Sequence, residues 1–553
     1  MLVSRAHIAG YLGAMSDAAF DPSLSAPALS APALSAPALA TPALWRAPDL
    51  GIVLDFSHMG RPLAAHDFAA SHAAMTALEA GAVANPDEAR QVGHYWLRDA
   101  DRAPASLQGA IREALAQCHA LTRAVHRERV EPDDAEGDND SDLRFRTVLV
   151  LGIGGSALGP QLVADALGEP DDRLAVRFLD NTDPEGIARV LGPLILEETL
   201  VVCISKSGGT AETRNALIET QAAFARAEVD FESRAIAVSG EGSQLWNSAA
   251  GWRARVPMWD WVGGRTSLAS AVGVLPMLLQ GVDADAFLEG AALMDAHTRT
   301  ATVEENPAAM LALAWLAFTE GKAKRAMVVL PYRDRLVLFS RYLQQLIMES
   351  IGKTLDVNGR VVHQGLTVYG NKGSTDQHAY VQQLRDGPDD HFVTFVAVED
   401  DGYSGQEDVA PGVQSGDFLQ GFWLGTRRAL SEAGHGSITV SLPVVDALRV
   451  GALVALYERA VGYYASFVGV NAYHQPGVEA GKRAAAAILG VSSALVAALG
   501  PEGETAGALA ARVGGVDAGE AWHILRRLAT NERGVCCEEA DRPSEDLFRR
   551  GPA

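Results

Sequence analysis

The sequence predicts an α/β protein: two α/β/α sandwich domains on parallel sheets, with an N-terminal extension before them and a small helical appendage after them. Three observations carry this. Short, mainly apolar runs recur at 147–153, 176–179, 200–204 and 234–238, and 326–330, 362–369, 393–398 and 437–442 read as a second set of strands. Helical segments such as ALGPQLVADAL and TAETRNALIETQAAFARA lie between them. Strands with no polar alternation need both faces covered, as in a parallel sheet layered between helices. A chain of 553 residues is also too long for one compact core.

In chain order, residues 25–44 read SAPAL three times and then ATPAL. Proline at every fifth place blocks both helix and sheet, so residues 1–45 form a low-complexity arm. Residues 46–104 read as a helical segment, and ASLQGAIREALAQCHALTRAV continues with helical spacing. The acidic stretch 130–143 reads as a surface loop. The first sandwich domain spans 105–290 and the second 300–485, with helices at 306–320 and 335–351 and a long helical stretch at 444–470. Residues 490–553 form the appendage; TAGALAARVGGVDAGEAWHILRRLATNERGV within it fits a helix-turn-helix or winged-helix unit.

Composition narrows the function. A net charge of −23 repels nucleic acid and anionic membranes unless a local basic patch overrides it, so neither is expected as a partner. An anionic substrate needs a concentrated positive site. The four cysteines, Cys118, Cys203, Cys536 and Cys537, have no zinc-site spacing and suit a reducing cytoplasm. The N-terminal segment lacks the apolar core of a secretory signal, and no run of about 18 apolar residues predicts a membrane span. Only six of the 46 basic residues are lysine: Lys206, Lys322, Lys324, Lys353, Lys372 and Lys482. In such a chain each lysine merits inspection.

Six segments carry chemistry. GIGGSALGP (152–160) joins a buried strand to a helix, where glycines and free N–H groups admit an anion. Gly152, Gly154 and Ala157, with Asp180 at the end of the next strand, also fit a loose dinucleotide fingerprint. SKSGGTAET (205–213) places Ser205, Ser207 and Thr210 around Gly208 and Gly209, a phosphate cradle at a helix start. An N-cap with Glu212 as capping acid explains one of those hydroxyls, not three. VGGRTSLASAVG (262–273) sets Arg265 after two glycines; the plain alternative is one surface arginine among forty. RYLQQLIMESIGK (341–353) is a helix whose Gln345 and Glu349 share a face. Glu349, beside apolar Ile347, Met348 and Ile351, is placed to act as a base or else is a solvated helix residue. GNKGSTDQHAYVQQL (370–384) puts His378 near a helix start, suited to proton exchange or to capping. NAYHQPGVEAGK (471–482) ends in the scarce Lys482.

In order, spacing and residue types these segments, above all MESIGK, the GSTDQH loop and QPGVEAGK, resemble the glucose-6-phosphate isomerase family over residues 145–485. The resemblance implies two sugar-isomerase (SIS) domains and a cofactor-free, metal-free interconversion of glucose 6-phosphate and fructose 6-phosphate in glycolysis and gluconeogenesis. It implies that Ser205, Lys206, Ser207 and Thr210, with Gly155 and Ser156, hold the phosphate. Glu349 would move the proton between C1 and C2, Arg265 would stabilise the enediolate, Gln345 would contact the substrate, and His378 and Lys482 would open the sugar ring. It further implies a homodimer whose shared site takes its histidine from the partner. Gly208, Gly209, Asp376 and His474 depart from common family choices. Other readings are a related isomerase that also accepts mannose 6-phosphate, a sugar-phosphate-sensing regulator, and a nucleotide-dependent oxidoreductase. Ten acidic and seven basic residues in 501–553 suit DNA poorly.

Overall fold

The computed structural model describes residues 44–128 and 144–552, with the side chains of 478–483 left out. The acidic loop and all but the last two residues of the predicted arm therefore lie outside the described residues. Those two, Leu44 and Trp45, begin strand β1 (Leu44–Arg46), which pairs antiparallel with β2 (Val53–Asp55). The 46–104 segment thus contains strand as well as helix; its one long helix is Phe68–Glu79.

The first parallel sheet contains β3 (Thr147–Leu151), β4 (Ala175–Leu179), β5 (Thr199–Ile204), β6 (Ala235–Gly240) and β7 (Ala254–Met258), in the order β4-β3-β5-β6-β7. Strand alternation splits its apolar residues between two cores. Val148, Val150, Val202 and Ile204 join one core, while Leu149, Leu151, Val201 and Cys203 join the other. The helix read from ASLQGAIREALAQCHALTRAV is Ala105–Arg127. β7 carries Arg255 and Pro257 among its five residues, so its sequence does not read as a buried strand; a sheet edge accommodates both.

The second sheet holds β8 (Ala326–Pro331), β11 (Val368–Tyr369), β12 (His391–Val398) and β13 (Ser437–Leu442) in parallel, and β2 and β1 extend it antiparallel in the order β1-β2-β13-β12-β8-β11. The strand expected over 362–369 divides. Its first part is β10 (Val361–Gln364), which pairs with β9 (Lys353–Leu355) as a separate antiparallel hairpin, and only Val368 and Tyr369 reach the main sheet. His363, at φ 48°, breaks the run.

The helix expected over 335–351 is also broken. A 3₁₀ turn (Asp334–Leu336) leads to an α-helix (Phe339–Leu343) and then to a π-helix over Gln344–Glu349. The stretch after 444 is the buried helix Ala447–Phe467. Beyond it, helix Pro476–Ala498, β14 (Glu504–Thr505), helices Ala506–Val513 and Ala518–Thr530, β15 (Val535–Glu538) and β16 (Leu547–Arg550) have the element order of a winged helix. The predicted helical appendage therefore also has a three-stranded sheet, and a core of Leu495, Leu509, Leu525 and Phe548. No helix among the described residues is long and apolar enough to cross a membrane.

Candidate active site

Three turns at strand and helix ends come together beside a π-helix. The first follows β3: Gly154–Ser156 form a 3₁₀ turn that opens into helix Leu158–Leu167. A Cβ on Gly155 would lie 2.0 Å from the carbonyl oxygen of Gly264, so the 154–156 and 264–266 turns stack backbone on backbone. A Cβ on Gly154 would lie 3.1 Å from Nε2 of Gln345, which brings the π-helix to the same place. Gly155→Ala is expected to displace the Gly264 peptide and the adjoining Arg265. An ångström-scale misplacement of a site group costs about 10²-fold, so kcat/KM should fall by about that factor, with circular dichroism unchanged.

The second turn follows β5. Gly208, at φ 73°, donates its N–H to Ser205 Oγ (3.1 Å), and Gly209 N–H donates to Ser207 Oγ (3.2 Å). Thr210 is the N-cap residue of helix Ala211–Arg226, yet its side chain makes no capping bond. Capping therefore does not account for that hydroxyl. Lys206 Nζ donates to the carbonyls of Val262 (2.7 Å) and Asp260 (3.4 Å), and burial lowers its pKa. It ties the 205–210 loop to the segment leading into Arg265.

Arg265 is no surface arginine, being 6% exposed. Nε donates to Ser350 Oγ (2.8 Å), Nη2 donates to the carbonyls of Ala472 (2.5 Å) and His474 (3.0 Å), and Nη1 lies 3.2 Å from Glu349 Oε2. Burial pulls its pKa below the usual arginine range against the opposing pull of Glu349. Glu349 ends the π-helix with 18% of its side chain exposed, so it is not a solvated helix residue. Its Oε2 is buried and has no aligned hydrogen-bond donor, although Arg265 stands at ion-pair distance. Insertions of this wider helical turn concentrate at functional sites.

His378 closes the 3₁₀ turn Thr375–His378 and is exposed. Asp376 holds that turn: its carboxylate accepts from the N–H groups of Asn371 and Lys372 (both 3.0 Å) and from Tyr380 Oη (2.5 Å). Within one chain the structure shows no bond from His378 to Glu349 or Arg265. Lys482 lies outside the described side chains. Arg265 and Glu349 are in direct contact, Gly155 packs on Gly264, Gln345 lies against Gly154, and Lys206 bonds the segment that leads into Arg265. Ser205, Ser207 and Thr210 sit on the loop that Lys206 anchors, and Ser156 sits in the first turn.

Residues 61–405 match the family model for phosphoglucose isomerase. The chain belongs to the phosphoglucose isomerase family. It is 53% identical over 518 residues to a glucose-6-phosphate isomerase of Geobacter sulfurreducens, covering 90% of this chain and 96% of that one. It is 52% identical over 520 residues to a glucose-6-phosphate isomerase of Thermosynechococcus vestitus, covering 92% and 97%. A crystal structure of a glucose-6-phosphate isomerase from Chlamydia trachomatis superposes with a TM-score of 0.70 at 25% identity, covering 80% of this chain and 89% of that one.

In this phosphoglucose isomerase family chain, sequence reasoning passed over two residues that the structure puts beside the ion pair. Lys353 is 4% exposed and its Nζ donates to the carbonyl of Glu349 (2.6 Å). The signal was present, since Lys353 is one of the six lysines and ends the MESIGK motif. His474, noted only as a departure, gives its carbonyl to Arg265, and burial lowers its imidazole pKa.

Proposed function

We propose that this chain is an aldose–ketose isomerase that interconverts glucose 6-phosphate and fructose 6-phosphate through a cis-enediol intermediate. The observation that supports it most directly is the Glu349 carboxylate, whose buried Oε2 lies 3.2 Å from the buried guanidinium of Arg265. The segment leading into Arg265 is linked through Lys206 to a loop built like a phosphate cradle.

Each group has a chemical task. Ser205, Ser207 and Thr210, with the free N–H groups at the start of helix Ala211–Arg226 and the turn at Gly155 and Ser156, take the phosphate. Binding free energy from that remote group holds the sugar carbons against Glu349. Gln345, one turn before Glu349, contacts the sugar. Glu349 removes the proton from C2 and returns it to C1 on the same face, which requires one carboxylate. Arg265 is fixed by three bonds before the reaction starts, so stabilising the enediolate oxygen costs it no reorganisation. Ring opening needs an acid and a base at the ring oxygen and hydroxyl, tasks given to His378 and Lys482. His378 is exposed and makes no bond to Glu349 or Arg265 of its own chain, which suits a homodimer in which each copy supplies this histidine to the other's site. Such a reaction belongs to glycolysis and gluconeogenesis in the cytoplasm.

The test is incubation of the full chain with fructose 6-phosphate in the presence of a chelator, followed by quantification of glucose 6-phosphate. Conversion to the equilibrium mixture is expected, and no conversion overturns the reading. Lys482→Ala should slow turnover of the cyclic sugar while an open-chain analogue reacts at an unchanged rate. Equal slowing of both would remove Lys482 from ring opening.

A further inference from the structure

We propose that Lys353 is a positioning residue for the reaction at Glu349: its buried ammonium grips the main chain of the π-helix and places a second fixed positive charge beside Arg265. The inference rests on the reading of Glu349 as the proton carrier, and it adds a residue to the machinery.

Lysine is rarely this buried without a carboxylate partner, because an isolated ammonium is costly to remove from water. Lys353 is 4% exposed, and among the described residues its one hydrogen bond is to the Glu349 carbonyl, at 2.6 Å. That carbonyl belongs to the last turn of a helical segment, where carbonyls lack intrahelical donors and the helix end carries partial negative charge. Gly352 N–H takes the neighbouring Met348 carbonyl (2.8 Å) and Lys353 takes that of Glu349, so both peptides on either side of the Glu349 nitrogen and carbonyl are fixed. Fixing the Glu349 peptide fixes the direction in which its side chain leaves the backbone.

The charge matters as well as the bond. Four groups face the ammonium, from four elements: Arg265 on the 264–266 turn, Glu349 on the π-helix, Asp87 on the Pro86–Glu88 turn and His474 on the segment before helix Pro476–Ala498. Burial, and then Arg265, push the Lys353 pKa down to about 8 against the pull of Glu349 and Asp87. The sign follows: below about pH 8 the turn carries the extra cation, and as pH rises through that value the cation is lost while Arg265 remains. Turnover should therefore fall on the alkaline side. A lysine that merely closed a helix end would leave no such mark on the pH profile.

The experiment measures kcat and KM for fructose 6-phosphate from about pH 6 to about pH 10 in the full chain, Lys353→Arg, Lys353→Met and Glu349→Gln. The unsubstituted chain should lose turnover above about pH 8. Lys353→Arg keeps its charge at every pH and should show that limb displaced by a unit or more. Lys353→Met should lose about ten-fold in kcat near neutrality with KM changed by less than about three-fold, and should show no limb near pH 8. An unsubstituted profile flat to about pH 10, a limb left in place in Lys353→Arg, or a kcat in Lys353→Met within about two-fold of normal overturns the proposal. Should Lys353→Met not fold, the limb in Lys353→Arg decides alone. Turnover that survives Glu349→Gln overturns both readings; turnover lost there, with the limb unmoved in Lys353→Arg, overturns the Lys353 proposal alone.

Discussion

Glu349→Gln is expected to lower kcat by about 10³-fold while KM stays within a few-fold, because one positioned acid–base group typically supplies about 10²- to 10⁴-fold. The substitution keeps the shape of the side chain. Arg265 retains its bonds to Ser350 Oγ and to the carbonyls of Ala472 and His474, so the guanidinium has no cause to move. The loss is therefore one of chemistry rather than of architecture. A second readout isolates the step: sugar phosphate deuterated at C2 should lose its label to solvent in the unsubstituted protein and keep it in the variant. Near-normal turnover in the variant would take Glu349 out of the mechanism. Arg265 makes a less clean target, because deleting its side chain also leaves Ser350 and two buried carbonyls without their donor.

What the sequence disclosed and what it concealed divide along physical lines. β3, β5, β6, β12 and β13 are legible because both faces are buried, so apolar residues fall on both faces and the run itself marks the strand. β7 escapes because a sheet edge tolerates Arg255 and Pro257. β1 and β2 escape because three-residue strands are too short for any period to show. The division of 362–369 depends on the backbone angle of His363, which composition does not report. At the site, motif residues were findable as types, but their burial was not. With forty arginines, nothing local separates Arg265 from a surface residue; its depth comes from Ser350, Ala472 and His474, distant in sequence. The π-helix is hidden for a different reason, since Gln345 and Glu349 keep the same four-residue spacing in an α-helix and in the wider turn. Lys206 shows how far residue type reaches: its place in the loop suggests a phosphate ligand, but not that its ammonium also bonds the carbonyls of Val262 and Asp260.

Behind the active site lies an ionic cluster that no motif announces, and it supplies the largest expected loss of stability. Arg98, Arg299 and Arg459 meet Glu79, Asp295 and Glu458, three charges of each sign from widely separated segments. Arg98 donates to both oxygens of Asp295 (3.0 and 2.9 Å) and pairs with Glu458, and all three side chains are 1% exposed or less. Arg98→Leu leaves Asp295 with Arg459 at 3.8 Å and Arg299 at 4.0 Å, but among the described residues leaves Glu458 with only Tyr342 Oη at 3.4 Å. A buried carboxylate stranded in this way typically costs about 3–5 kcal/mol, which should appear as an earlier midpoint in urea denaturation. The pair itself need not be strongly stabilising, since desolvation offsets much of its attraction. It follows that Arg98→Leu combined with Glu458→Met should be more stable than Arg98→Leu alone, with a coupling of about 1–3 kcal/mol. If the double substitution is no better than the single one, the loss comes from Asp295 or from packing around Tyr95, over whose ring the Arg98 guanidinium sits at 5.5 Å. Tyr342 leads directly into the π-helix that ends in Glu349, so releasing its bond to Glu458 connects this cluster to the site. Measured on the same proteins, kcat should fall in both variants that lose the Glu458 contact or strand its charge, while stability recovers only in the double.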